Sequence, residues 1–289
     1  MIFCRTLGVL AIRFTSMSNL FDTIRETAGA NAPALLKHLA GAGITEWDDL
    51  TRAKLYHLHD YLTERVAPGS ARTYMAVLKG ILARFEDEVN ICKDYRDILR
   101  QKAEKPQKTY LTKSELKSLE AVATKSDIEK SVLYQFLIGA YTGMRISDIR
   151  QVSRDNVRDG YLSYVSQKTR ITAVVPCGER VLQYIEWVQA NGTEVSLQSF
   201  NEAIRRLARR AGIRERVKVY RGGRRGEGEK WRYISSHTAR ISFCTNLAKL
   251  QVPILDISRM AGHTTVEMTN RYIVQTEVNL SKKALEYFD

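Results

Sequence analysis

Four residues near the C-terminus have types and spacing suited to chemistry on a phosphodiester. They are His237, Arg240, His263 and Tyr272, arranged as His-x-x-Arg, a Gly-His pair, and a tyrosine nine residues after that histidine. Attack on a phosphodiester builds negative charge on its non-bridging oxygens, which guanidinium groups hold through permanently charged, bidentate hydrogen bonds. A tyrosine can supply the nucleophile of a covalent intermediate. Together with Arg145 in Thr-Gly-Met-Arg, the pattern indicates phosphoryl transfer without a metal.

The order and setting of these residues resemble the tyrosine recombinases, or phage integrases, whose motif is Arg, Lys, His-x-x-Arg, His or Trp, and Tyr. Here Leu-Asp-Ile-Ser-Arg-Met-Ala-Gly-His-Thr-Thr precedes Asn-Arg-Tyr, and the resemblance covers residues 112–289. It implies that Arg145 and Arg240 clamp the scissile phosphate and that His263 donates a further hydrogen bond to it. Tyr272 would then form a 3′-phosphotyrosyl bond and release a 5′-hydroxyl.

The same resemblance assigns the proton transfers. A phenol has an ordinary pKa near 10, so its attack at neutral pH benefits from a base, for which His237 is the candidate. Residues 161–176 alternate apolar and polar side chains around a short polar turn, which predicts a β-hairpin with Lys168 near its tip. Lys168 would be the acid for the leaving 5′-oxygen. Asp148 occupies an acidic position that supports the active site in the family.

Positive charge is concentrated before the His-x-x-Arg motif. The net charge is +13, and residues 201–240 hold 13 Lys or Arg but only four Glu. Because such a surface neutralises phosphates, it favours a nucleic-acid partner. A capping box at Ser199–Glu202 predicts a helix closed by Gly212. Its apolar face would contain Phe200, Ile204, Leu207 and Ala211, and its outer face, suited to a DNA major groove, Arg205, Arg206, Arg209 and Arg210. The glycine-rich stretch 221–230 is expected to be a mobile loop.

Composition and periodicity divide the chain into four parts. We expect an N-terminal tail at 1–27, a helical unit at 28–103, a polar linker at 104–111 and a further domain at 112–289. The resemblance implies that the helical unit is the family's core-binding domain and that 112–289 is its catalytic domain. Within the core-binding domain, one helix is predicted at 50–65 and another after an N-cap at Gly69-Ser70, with Arg72 and Lys79 facing DNA or solvent. The fold class is therefore mainly α, with a small β-hairpin or sheet in the catalytic domain.

Several classes of protein are not favoured. No apolar run reaches the roughly 18 to 20 residues that cross a bilayer, so we expect a cytoplasmic protein without membrane partners. The four cysteines form no C-x-x-C pair, which argues against a zinc site and a disulfide framework. We expect no metal and no cofactor, since the phosphotyrosyl bond itself retains the energy for rejoining.

The sequence thus predicts a site-specific DNA recombinase of a mobile element that acts through a Holliday junction. Its partners would be double-stranded DNA with specific sites, three further copies in a synaptic tetramer, and DNA-bending or directionality factors. A type IB topoisomerase and an idle DNA-binding remnant are the alternatives. The start codon (Met1 or Met17), the meaning of the short N-terminal region, and the role of a helix at 278–288 in docking or self-packing stay open.

Overall fold

The computed structural model describes residues 19–101, 108–221 and 224–274. The chain divides into two compact units, Met1–Lys105 and Pro106–Asp289. Both units are mainly helical, and the two small antiparallel sheets belong to the second. The predicted fold class is confirmed. Among the described residues, no helix is long and apolar enough to cross a membrane.

The first unit is a bundle of helices around a leucine-rich core. Its helices are α1 (Leu20–Thr27), α2 (Ala32–Gly41), α3 (Arg52–Arg65), α4 (Pro68–Phe85) and α5 (Tyr95–Ile98). Leu55, Leu58 and Leu62 of α3 are fully buried, as predicted. The predicted start of α4 at Ser70 is wrong, because the helix begins at Pro68, whose fixed φ suits the first helical position. Arg72 is exposed and Lys79 is half-buried.

The first half of the second unit surrounds one central helix. It contains α6 (Lys113–Glu120), α7 (Asp127–Thr142), α8 (Ile146–Ile149) and α9 (Glu179–Asn191). A capping box between Thr112 and Glu115 starts α6, as the sequence predicts. Helix α7 is buried along most of its length and packs against α9 and other helices of this unit. It ends at Gly143, whose φ of 74° is the left-handed conformation that glycine adopts without strain.

The predicted hairpin lies in a three-stranded antiparallel sheet. Its strands are β1 (Val157–Arg158), β2 (Tyr161–Val165) and β3 (Thr172–Pro176), in the order β1-β2-β3. Leu162 is opposite Val175, and Tyr164 is opposite Ala173. These four residues are buried, whereas their neighbours along each strand face solvent. The period of two in the sequence therefore corresponds to one face packed on the core.

The basic region forms a helix followed by a hairpin. Helix α10 spans Leu197–Arg210 and begins from Ser196, three residues before the predicted cap, because the Ser196 side chain accepts the backbone N–H of Ser199. Two antiparallel strands follow, β4 (Arg216–Arg221) and β5 (Arg224–Glu229). Strand β5 lies within the stretch 221–230, where we expected a mobile glycine-rich loop. A Cβ at Gly228 would lie 3.0 Å from the Tyr233 hydroxyl, so the glycine lets that ring pack against the strand.

The last described elements contain the C-terminal motifs. They are α11 (Ser236–Lys249), α12 (Ile254–Met260) and α13 (Val266–Asn270). The spacing of Phe243, Leu247 and Leu250 in the sequence predicts that all three face inward. Phe243 is buried, but the prediction is wrong for Leu250, which is 69% exposed because α11 ends one residue earlier. The segment 278–288, considered for docking on a neighbouring copy, lies outside the described residues, as do the first 18 residues.

Candidate active site

Arg145 is fixed at the junction of α7 and α8 by a buried polar network. It lies at the N-cap of α8, and its Nη1 donates to the Ser166 hydroxyl at 2.9 Å. Ser166 donates in turn to Asp148 at 3.2 Å, and the Arg145 and Asp148 charges are 4.0 Å apart. Asp148 also accepts the backbone N–H of Gln167 at 3.0 Å. One buried carboxylate thus orients the arginine and anchors the end of β2.

Lys168 lies in the turn that follows β2 and is exposed. The turn is attached to the C-terminal motif through Thr169, whose hydroxyl donates to the carbonyl oxygen of Gly262 at 3.2 Å. The positive charge of Lys168 reaches His237, where it contributes to lowering the histidine pKa. The hairpin therefore brings its lysine near the cluster without burying it.

Arg240 is a buried cation with most of its guanidinium unpaired. The residue is 1% exposed, and its Nη1 donates to the carbonyl oxygen of Gly143 at 2.5 Å. Its Nε and Nη2 atoms have no hydrogen-bond partner among the described residues. Burial, followed by the charge of Arg240, lowers the pKa of Arg145. The two guanidiniums therefore repel each other in a site that favours an anion.

His263 presents a free ring nitrogen to the same region. The left-handed Gly262 ends the turn after α12, and His263 follows it, 6% exposed. Its Nδ1 lies 2.9 Å from the Thr269 hydroxyl, and its Nε2 has no partner within the described parts of the chain. The contact with Thr269 fixes the ring orientation, so that Nε2 is available to a bound group.

Tyr272 completes the cluster at the end of α13. The Thr245 hydroxyl of α11 donates to its carbonyl oxygen at 3.3 Å and accepts the backbone N–H of Val274 at 3.1 Å. The ring centroids of His237 and His263 lie 4.9 and 4.7 Å from that of Tyr272. The chain thus holds the half-buried tyrosine against both histidines.

Arg240 lies beside the same tyrosine, with its guanidinium carbon 5.2 Å from the Tyr272 ring centroid. The tyrosine ring is therefore surrounded by two histidines and a buried arginine. An anion bound by Arg240 would therefore lie beside Tyr272.

Both histidines in this cluster are neutral at pH 7. Burial, followed by the charges of Lys108 and Arg240, lowers the pKa of His237 to about 4. Burial, followed by the charges of Arg240 and Arg145, lowers the pKa of His263 to about 3. His237 is exposed as a residue although its ring packs on Tyr272, so water screens part of the effect of these charges on its pKa. A neutral His237 can accept a proton.

The arginines of α10 do not form the single free face that the sequence predicts. Arg205 donates from Nε to the carbonyl oxygen of Ile234 at 3.0 Å. Arg210 pairs with Glu129 at 2.7 Å. Arg206 and Arg209 are exposed. Arg205 and Arg210 thus have partners within the protein, which helix periodicity does not reveal, and their DNA-binding role stays a prediction.

Sequence reasoning missed three residues of this site. Ser166 links Arg145 to Asp148, Thr269 contacts His263, and the Lys108 ammonium lies 4.8 Å from the Tyr272 ring centroid. Ser166 and Thr269 belong to no sequence motif that would have identified them. Lys108 lies in the segment we expected to be a linker, and Leu111 in the same segment is fully buried.

Within residues 19–101, 108–221 and 224–274, no group of three or more His, Cys, Asp or Glu side chains is arranged to hold a metal ion. The positive charges described around Tyr272 belong to Arg145, Arg240 and Lys108.

Comparison with protein families gives one clear match. The model of the phage integrase family matches residues 109–278, which include every residue of the cluster except Lys108. A search of curated proteins finds no match.

Solved structures with the same fold are distant in sequence. The Tn1549 transposon integrase in complex with circular intermediate DNA has a TM-score of 0.66 at 14% identity, covering 94% of this chain and 100% of that chain. A lambda integrase dimer bound to a COC′ core site has a TM-score of 0.63 at 15% identity, covering 88% and 95%. A lambda integrase tetramer bound to a Holliday junction has a TM-score of 0.63 at 14% identity, covering 90% and 78%.

Proposed function

Because this chain belongs to the phage integrase family and is a tyrosine-type site-specific recombinase, we propose that it cleaves and rejoins DNA through a 3′-phosphotyrosyl intermediate and a Holliday junction. Integration and excision of a mobile element are the biological reactions that we assign to it. Double-stranded DNA with specific sites is the substrate, and four copies assemble in the synapse. DNA-bending or directionality proteins are its proposed accessory factors.

The unpaired donors around Tyr272 carry this proposal. Nε and Nη2 of Arg240 and Nε2 of His263 are buried without partners among the residues described. A buried polar group without a hydrogen bond costs on the order of 1–3 kcal/mol, so several in one place are expected where a ligand supplies the missing partners. A phosphodiester supplies acceptor oxygens and negative charge, which also relieves the repulsion between Arg240 and Arg145.

The cleavage step follows from this arrangement. Arg145 and Arg240 hold the two non-bridging oxygens, and His263 donates from Nε2 while Nδ1 accepts from the Thr269 hydroxyl. The Tyr272 oxygen attacks phosphorus as its proton passes to the neutral His237. The bond from phosphorus to the 5′-oxygen breaks, leaving a 3′-phosphotyrosyl bond.

The departing 5′-oxygen takes a proton from Lys168, whose exposed turn is tethered near the cluster by Thr169. Rejoining reverses these steps: the 5′-hydroxyl of a second strand attacks the phosphotyrosyl bond, Lys168 takes its proton back, and His237 returns one to the phenol. One phosphodiester is exchanged for another at each step. The reaction therefore consumes neither ATP nor a reductant.

Contacts to flanking DNA are proposed for exposed basic residues of each unit. Arg206 and Arg209 on α10 are exposed, and we propose that they contact phosphates or base edges, although the Arg209 guanidinium also lies 5.4 Å from the Trp231 ring centroid. Arg72 is exposed and Lys79 half-buried on α4 of the first unit, for which we propose the core-binding role. The DNA-bound dimer and tetramer of lambda integrase, which share this fold, support DNA as the partner and assembly on it.

Covalent capture tests the proposal directly. The protein is incubated with a pool of randomised duplexes, each with a nick one nucleotide 3′ to the position that Tyr272 can attack. The small fragment that is released diffuses away, so the covalent complex accumulates and its DNA is sequenced. We expect wild-type protein to recover related sequences through their 3′ ends and Tyr272→Phe to recover none.

The matched control is Tyr161→Phe, which removes an exposed phenol from β2 and should leave capture unchanged. Capture by Tyr272→Phe would refute the proposed nucleophile. Covalent capture without sequence preference, combined with relaxation of any supercoiled plasmid, would favour a type IB topoisomerase over a recombinase.

A further inference from the structure

Residues 108–111, which precede α6 in the second unit, place Lys108 beside Tyr272, the proposed nucleophile. This segment is attached to α11, because the backbone N–H of Leu111 donates to Ser242 at 2.8 Å and Asn246 donates to the Leu111 carbonyl oxygen at 2.9 Å. Lys249, at the end of the same helix, donates to the Tyr110 hydroxyl. The path of this segment is therefore fixed along the helix that holds His237 and Arg240.

Lys108 contacts the tyrosine segment in two ways. Its ammonium donates a hydrogen bond to the carbonyl oxygen of Arg271, the residue just before the nucleophile. The same ammonium lies 4.8 Å from the centroid of the Tyr272 ring, which is within the range of a cation–π contact. The Thr245 hydroxyl hydrogen-bonds to the backbone of Tyr272 and Val274. The short segment 271–274 is therefore held by two side chains, Lys108 and Thr245.

The charge of Lys108 acts on the same cluster. It is the largest charge contribution to the lowered pKa of His237, after burial, and it also lowers the pKa of His263. Burial lowers the pKa of Lys108 itself, with Arg271 adding to the effect. Positive charge beside a phenol stabilises the negative charge that develops on its oxygen during attack. Positive charge beside His237 keeps that ring neutral while lowering its affinity for a proton.

We infer that Lys108 is a positioning residue for Tyr272: it holds the tyrosine segment through Arg271 and places its positive charge against the Tyr272 ring, where it stabilises the negative charge that develops on the phenol oxygen during attack. This inference rests on the proposed function of Tyr272. Lys108 acts through its neighbours, so it differs from the residues proposed to touch the phosphate.

The test uses the duplex recovered by covalent capture and measures single-turnover formation of the covalent complex from pH 6 to pH 9.5. Lys108→Met keeps the length of the stem but removes the charge, and Lys108→Arg keeps the charge and the donors. We expect Lys108→Met to react about tenfold to a hundredfold more slowly at pH 6.5. The deficit should shrink to about threefold at pH 9.5, where hydroxide assists loss of the phenolic proton, and Lys108→Arg should retain most of the activity.

The pH profile also depends on the other charged and titratable groups of this cluster. They are Arg145 and Asp148 at α8, Tyr164 in β2, Lys168 in the β2–β3 turn, His237, Arg240 and Cys244 on α11, His263 after α12, and Arg271. All of them are unchanged in the Lys108 variants.

Lys113→Met is the control, since Lys113 is an exposed lysine five residues away at the start of α6. It should match wild type at every pH. Equal rates for Lys108→Met and wild type would overturn the inference, as would a deficit of the same size at every pH, which a purely structural role predicts. Failure of wild-type protein to form any covalent complex would instead contradict the proposed function.

Discussion

Two buried cations in the second unit have opposite surroundings. Lys230, at the base of the β4–β5 hairpin, is 4% exposed, and its ammonium pairs with Glu115 at 2.8 Å and Glu215 at 3.0 Å. Arg240 is 1% exposed, and its neighbours include other cations and neutral rings. The comparison separates structure from function. A buried cation with counterions in the protein is neutralised within the fold, and removing it leaves those counterions unpaired. A buried cation without counterions is available to an external anion.

Replacing Arg240 should produce the largest effect on activity. Arg240→Met removes the unpaired guanidinium, and covalent capture should fall about a thousandfold because phosphate charge loses a bidentate donor. Stability should change by no more than about 1 kcal/mol, since one hydrogen bond to Gly143 is lost while repulsion with Arg145 is relieved. Denaturant unfolding and capture rates measure the two effects. A large loss of stability with activity retained would reverse the comparison.

Substitution of Gly143, whose carbonyl oxygen accepts a hydrogen bond from Arg240, should have a large effect on stability. A Cβ here would lie 2.5 Å from the Phe243 ring, and φ is 74°, so Gly143→Ala should destabilise the second unit by about 3 kcal/mol. Gly212→Ala separates the two causes, because Gly212 also has positive φ but open space around its Cβ position, and it should cost only about 1 kcal/mol. Urea unfolding provides the measurement. Equal costs at the two glycines would show that the contact with Phe243 contributes nothing.

Lys230 should behave oppositely to Arg240. Lys230→Met leaves Glu115 and Glu215 without their shared cation and should lower stability by about 2 kcal/mol, a value reduced because Glu215 is largely exposed. Covalent capture measured well below the unfolding temperature should stay within about twofold of wild type. A severe loss of capture by folded Lys230→Met protein would place this lysine in the DNA-cleaving machinery.

Acidification should lower the free energy of unfolding by a smaller amount, part of which comes from His263 in the active-site cluster. The folded pKa of His263 is lowered to about 3, so below pH 6.5 the unfolded state binds more protons and stability falls as the pH falls. From pH 7 to pH 5.5, wild type should lose about 1 kcal/mol more than His263→Asn. Unfolding curves at several pH values test this. Parallel pH dependence of the two proteins would show that His263 is not buried in its neutral form.

Local sequence patterns predicted much of this fold. The capping box at Thr112, the apolar face of α7 and the alternation in β2 and β3 each depend on residues close together in the chain, and each matches the structure. The start of α4 was misplaced by two residues and that of α10 by three, because several neighbouring residues can cap a helix.

Features that depend on distant segments could not be read from the sequence. The partner of Arg205 is 29 residues away and that of Arg210 is 81 residues away, so nothing local marks them as paired. Lys108 reaches a carbonyl 163 residues later. Strand β5 contains alternating glycines, a composition usual for loops, and it is a strand here because Tyr233 packs against it.

The sequence by itself determined which residues can do chemistry. Two arginines, two histidines, a lysine and a tyrosine in that order indicate phosphoryl transfer, because residue type sets charge, proton affinity and nucleophilicity. Only the tertiary structure decided which charges are neutralised within the protein. Burial and pairing depend on segments far apart in the chain, and they leave Arg240 and His263 with free donors beside Tyr272 while Lys230 is fully paired.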